Sequence, residues 1–135
     1  TTSMTPIGVF LGVSYTDPTS GQTTFSQHYP ASTAASDIMA YVASDPFLVM
    51  QMQSDEALTQ DDLGKNVAVV QTAGSTSIGT SKNAVDGSTA NTTNTLPLKI
   101  IDFVEGPDSA IGDSNTDVLV MFNVGHQLLN TTGIG

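Results

Sequence analysis

Cysteine, tryptophan and arginine are absent from this chain of 135 residues, and lysine occurs only 3 times. Without cysteine there are no disulfides and no thiolate chemistry, although compartment is left open. Without arginine there are no bidentate forks for phosphate. Three scattered lysines form no basic stripe, so direct contact with nucleic acid or an anionic membrane surface is disfavoured. The formal charge of −10 favours solubility and suits a basic partner. No apolar run approaches the ~20 residues that a membrane span needs, so no membrane partner is expected. No basic start followed by an apolar middle marks a secretion signal. The chain opens on Thr1, and we expect a processed or partial product.

What is abundant is Thr, Ser, Asn and Gly, set between short apolar runs. Thr favours strands and turns over helix interiors. The length suits one domain with its own core. We therefore expect residues 1–135 to form a single all-β domain, barrel-like or sandwich-like, with long Ser/Thr/Gly-rich loops and at most one short helix.

The most apolar stretch is residues 47–53, FLVMQMQ, placed after a hinge at Asp45-Pro46. Pro46 fixes its own φ and drives Asp45 out of the helical region, so a preceding strand over residues 38–43 must stop there. Leu48, Met50 and Met52 share one face at period two, with Phe47, Val49, Gln51 and Gln53 on the other. Val118, Val120, Phe122 and Val124 repeat the pattern near the C-terminus. These two stretches are expected as opposite walls of one core.

Residues 7–15 and 23–29 read as a hairpin around Asp17-Pro18-Thr19-Ser20-Gly21. In the first strand Ile7, Val9, Leu11 and Val13 are expected on one face. Residues 58–64 offer the best helix, about one turn long, with Thr59 as N-cap and Gly64 as stop. Residues 66–72 read as a strand, and residues 98–104 as a strand covered on both faces. Residues 73–96 form a long irregular segment with short strands around Ile78 and Val85. Together with the chain ends, this segment is the expected binding surface, because ordering it is costly unless something binds.

Candidate chemistry is sparse. His28 and His126 stand far apart near strand ends, with no G-x-S-x-G elbow to complete a triad. Asp61 and Asp62 are explained by helix capping near the positive dipole end. Asp113, Asn115 and Asp117 have the spacing that opens a calcium loop, but the glycine after Asp117 and the closing glutamate are missing. Asn91-Thr92-Thr93 and Asn130-Thr131-Thr132 match the glycosylation pattern, which a Thr-rich chain meets by chance. No catalytic residue, cofactor or metal is expected.

Three stretches in order carry a resemblance: residues 7–31; residues 38–53 with Leu63-Gly64-Lys65-Asn66; and a run of short pieces from Ile78-Gly79-Thr80-Ser81 onward. That run continues through Val85-Asp86, Leu98-Lys99-Ile100, Pro107-Asp108 and His126-Gln127-Leu128 to Thr132-Gly133-Ile134. Together they resemble a family of small virion proteins of tailed bacteriophages, encoded near the major capsid protein. Members carry a further N-terminal segment before the strand that here begins at Ile7, a Leu-Asp-Ser where this chain has Val85-Asp86-Gly87, and charges near Pro107 that are lost here. The resemblance implies a β-barrel-like head protein, a capsid decoration or cement protein on the outer surface of the virion, and no catalytic residues. Its partner would be the major capsid protein, and a trimer would suit threefold junctions. The competing expectations are a fibre or adhesion module and a small β-barrel enzyme.

Overall fold

The structure is a computed structural model describing residues 4–131. Its eight strands are β1 (Val9–Thr16), β2 (Thr23–Ser26), β3 (Met39–Ala43), β4 (Val49–Gln53), β5 (Asn66–Val70), β6 (Ala84–Asn91), β7 (Leu98–Phe103) and β8 (Asp117–Phe122). A small antiparallel sheet has the order β2-β1-β3, and a large one the order β4-β8-β7-β5-β6. The domain is all-β and sandwich-like, and no barrel closes.

The hairpin of β1 and β2 forms where its turn residues place it. The Asp17 N–H donates to Gln22 O at 2.9 Å, and the Asp17 carboxylate accepts the Thr19 N–H at 2.9 Å. The hinge also follows from its residues. Asp45 Oδ1 accepts the Phe47 N–H at 2.9 Å, turning the chain from the small sheet into β4.

Alternating side chains of the large sheet make the core. Val67, Val69, Val85, Leu98, Ile100, Val118, Val120 and Phe122 are buried with Leu58, and Leu48, Met50 and Met52 are packed against them. Each fully buried aliphatic side chain stabilises the fold by about 1.5–3 kcal/mol. The face assigned to Leu48, Met50 and Met52 is therefore the one that points inward. Their expected position opposite residues 118–124 is corrected: β4 lies beside β8, with Met50 paired to Val120 and Met52 to Val118. Alternation identifies which face of a strand is buried, but not which strand is its neighbour.

The two outer strands of the large sheet also meet. Ser54, just past β4, bridges Val85 of β6, and the Asp55 N–H donates to Val85 O at 3.0 Å. A sheet whose first and last strands touch must curl, so its core is enclosed by curvature, without a closed ladder.

Other boundaries moved. The expected helix over residues 58–64 is the single 3-10 turn Gln60–Asp62, and a second such turn, Leu128–Asn130, follows β8. Gly64 does stop the first one, at φ +82°. In the segment over residues 73–96 the short strand expected around Val85 forms, but it is the eight-residue β6, whose Gly, Ser, Thr and Asn disguise its length. No strand forms at Ile78. The face expected for β1 breaks at a bulge between Phe10 and Gly12, which leaves Leu11 65% exposed. Val124 lies beyond β8 and is exposed. β7 is buried at Leu98 and Ile100, whereas its opposite side is only half-buried at Lys99 and Ile101, so it is covered on one face.

Candidate interaction surface

Register places the exposed face of the small sheet. Ser14 of β1 pairs with Phe25 of β2 on one side and Met39 of β3 on the other. Gly12 pairs with Tyr41. Cross-strand partners share a face, so Phe25, Met39 and Tyr41 project together over a floor of Gly12 and Ser14. Phe25 is 72% exposed, Met39 63% and Tyr41 47%. The Tyr41 hydroxyl is 3.1 Å from Ser14 Oγ, which fixes the ring across the sheet. Beside it a shallow hollow of about 390 Å³ is bounded by Leu11, Phe25, Gln27 and Tyr41.

The opposite face buries Val13 and Tyr15, and Tyr15 meets Tyr29 edge-on at 5.1 Å between ring centres. Between the two sheets lies an apolar cleft of about 720 Å³, with Phe10 on one wall and Leu48, Met50, Leu98 and Phe122 on the other. Gln127 joins the sheets. It is fully buried, and its Nε2 donates to Ile7 O at 2.8 Å and to Ser44 O at 2.9 Å, while its Oε1 accepts the Leu129 N–H at 2.7 Å. Those carbonyls flank the first and last strands of the small sheet in chain order, so one side chain pins both. Nothing in the sequence marks Gln127 for that role, because its partners are 120 and 83 residues away.

Charge is divided the same way. Before residue 46 the chain has only Asp17, Asp37 and Asp45 and no lysine; the remaining acidic residues and Lys65, Lys82 and Lys99 follow. Among the described residues, nine of the thirteen large apolar side chains left exposed lie between Ile7 and Val49.

The sequence candidates fall into separate structural roles. His28 is half-buried and lies over Gly79, whereas the His126 Nε2–H donates to Asn94 O at 2.6 Å. Asp62 caps its turn, accepting from the Thr59 N–H at 2.8 Å and from Lys65 Nζ at 2.8 Å. Partial burial alone would raise the Asp62 pKa, but the hydrogen bonds from Lys65 and Thr59 outweigh it and hold the carboxyl below its ordinary value. Asp61 takes no part in that network of bonds. Asp113 accepts the Ala110 N–H at 2.8 Å, and Asn115 donates to Ser54 O at 3.1 Å. Their polar groups thus close the loop before β8. Among the described residues no three His, Asp or Glu side chains gather where they could hold a metal ion. The Asn91 side chain accepts the Thr92 N–H at 2.6 Å. The second glycosylation pattern and the third resemblance stretch end at residues outside those described, as do parts of both chain ends.

Set against protein-family models, curated proteins and solved structures, the chain matches none.

Proposed function

We propose that this chain is a structural protein of a tailed-phage head: a decoration or cement protein on the outer surface of the capsid. It would contact the major capsid protein between capsomers and strengthen the shell. One observation carries this reading. An uncharged face presenting Phe25, Met39 and Tyr41 is mounted on an otherwise acidic domain. Exposed apolar side chains grouped on one face of a protein mark an interaction site, and the acidic remainder keeps the free protein soluble. The ordered resemblance to phage head proteins supports the same reading. Each copy needs only modest affinity, because tying neighbouring capsomers together multiplies the effect over the lattice. Besides the loops expected over residues 73–96, where eight residues form β6 and Val85 is in the core, the exposed apolar side chains favour the small sheet as the contact surface.

The test uses purified heads that lack the protein. Adding it back should coat them at one or more copies per capsomer and raise the temperature at which they rupture. Phe25→Asp should fold normally and fail to bind. If bare and coated heads rupture alike, or the protein localises to the tail in a few copies, the cement reading is wrong and an adhesion module takes its place.

A further inference from the structure

We propose that β3 is a self-pairing edge. Two copies of the chain join antiparallel through it, forming a twofold dimer in which the two small sheets continue as one six-stranded sheet. β3 ends the order β2-β1-β3, and among the described residues no strand pairs with its outer side. An open strand edge offers unpaired N–H and C=O groups to another chain. Such edges are ordinarily blunted by lysine, proline, an inward charge or a bulge. β3 reads MAYVA and has none of the first three, and the bulge in its ladder lies in β1, at Leu11.

The other edges are less open. β4 and β6 are drawn together by the bridge from Ser54 to Val85, and β6 carries Asp86. The exposed side of β4 carries Val49 with the polar Gln51 and Gln53. β2 is only four residues long and half threonine.

The occupant follows from the strand's own sequence. Centred on Tyr41, antiparallel pairing of β3 with itself sets Met39 against Ala43, Ala40 against Val42, and Tyr41 against Tyr41 of the second copy. Large side chains meet small ones on either side of the axis, and at the axis each Tyr41 ring is turned over its own sheet toward Ser14, so the two strands can close up. Met39, Ala40 and Tyr41 are all exposed, so among the described residues nothing obstructs approach. Charge points to the same place. Two molecules of net charge −10 repel, and β3 lets them meet without bringing any carboxylate of the strand into contact. Two acids flank the strand, Asp37 and Asp45, each two residues beyond an end, and each is held within its own copy: Asp37 by the Thr16 N–H and hydroxyl at 3.0 and 2.6 Å, and Asp45 by the Phe47 N–H at 2.9 Å. Pairing through an edge of this kind is isologous and stops at two copies.

Sedimentation equilibrium of the free protein, without heads, provides the test. With rising concentration the mass should go from 14.0 kDa to twice that value. Tyr41→Lys and Tyr41→Glu place like charges across the twofold axis, and each alone should stay monomeric with an unchanged circular dichroism spectrum. An equimolar mixture of the two should recover the dimer. Phe25→Asp, on the far strand, should dimerise normally, which separates this contact from the head-binding face. A wild-type monomer at every concentration, a trimer, or a dimer that both Tyr41 variants retain would overturn the proposal.

Discussion

The large sheet buries Val67, Val85, Ile100, Val118 and Val120 completely, whereas the small sheet leaves Phe25, Met39 and Tyr41 largely in water. Both sheets are antiparallel and built from similar residues. The difference is strand number and closure. Five strands curl until Ser54 meets Val85, and their inward side chains make the core. Three strands are near the lower limit for independent stability and cannot enclose anything. The small sheet therefore depends on what ties it down: the hinge at Asp45-Pro46, the walls of the cleft and Gln127. The lesson is a division of labour, with stability held in one sheet and an uncovered apolar surface displayed by the other.

The largest test of that division compares Val120→Asp with Phe25→Asp. Val120 has no exposed surface, so its replacement strands a carboxylate in the core at a cost of several kcal/mol, against a domain stability of about 5–15 kcal/mol. Phe25→Asp should change stability by no more than about 0.5 kcal/mol, as an exposed substitution does. Denaturant unfolding measures both. Equal losses would mean that the small sheet is as well packed as the large one.

A smaller effect is expected from Gln127→Leu. It leaves Ile7 O and Ser44 O without their donor, at a cost of about 1–3 kcal/mol for each group left unsatisfied. The loss should be local. Amides of β1 and β3 should exchange faster with solvent, while those of β7 and β8 stay protected. Uniform acceleration through both sheets would show that Gln127 supports the whole fold and does not pin the small sheet alone.

What was legible in the sequence follows a physical rule. Strand faces defined by unbroken alternation, such as Leu48-Met50-Met52 and Val118-Val120-Phe122, were readable because burial imposes period two. So were the Asp17 turn and the Asp45-Pro46 hinge, whose residues fix their own backbone. Strand neighbours were not legible, since β4 and β8 carry no signal that names the partner. β6 was legible only as a short strand around Val85; its run to Asn91 was hidden because Gly, Ser, Thr and Asn read as loop. The exposed face was also hidden: Phe25, Met39 and Tyr41 look like core residues until the bulge at Leu11 and the register show which way they point. Gln127 was invisible, because a buried amide clasp is defined by its distant carbonyls.

The smallest expected effect is acid sensitivity, and it too should divide the sheets. The Asp37 carboxyl is held below its ordinary value of 3.8 chiefly by the Thr16 hydroxyl and backbone N–H, which join the approach to β3 to the end of β1. Asp17 is held low by the Thr19 N–H in the hairpin turn. A carboxyl with a depressed folded-state pKa contributes stability that is present above its unfolded value and lost as pH falls through its folded value. Acidification below about pH 3.8 should therefore loosen the hairpin and the join of β1 to β3, whereas the similarly depressed Asp62 holds only the short turn before β5. Between pH 7 and that point the opposite trend operates, because the charge of −10 is being neutralised and self-repulsion relieved across the whole chain. Composition supplies the probe. There is no tryptophan, and Tyr15, Tyr29 and Tyr41 all belong to the small sheet or its connecting loop, so intrinsic fluorescence reports that region alone. In an acid titration the tyrosine signal should change at higher pH than the far-ultraviolet circular dichroism, to which the large sheet contributes most strands. Asp17→Asn combined with Asp37→Asn should flatten the tyrosine step and leave the circular dichroism transition where it was. If the two signals change together in the wild-type protein, the sheets unfold as one unit and the hydrogen bonds to Asp17 and Asp37 are not what sets the acid limit.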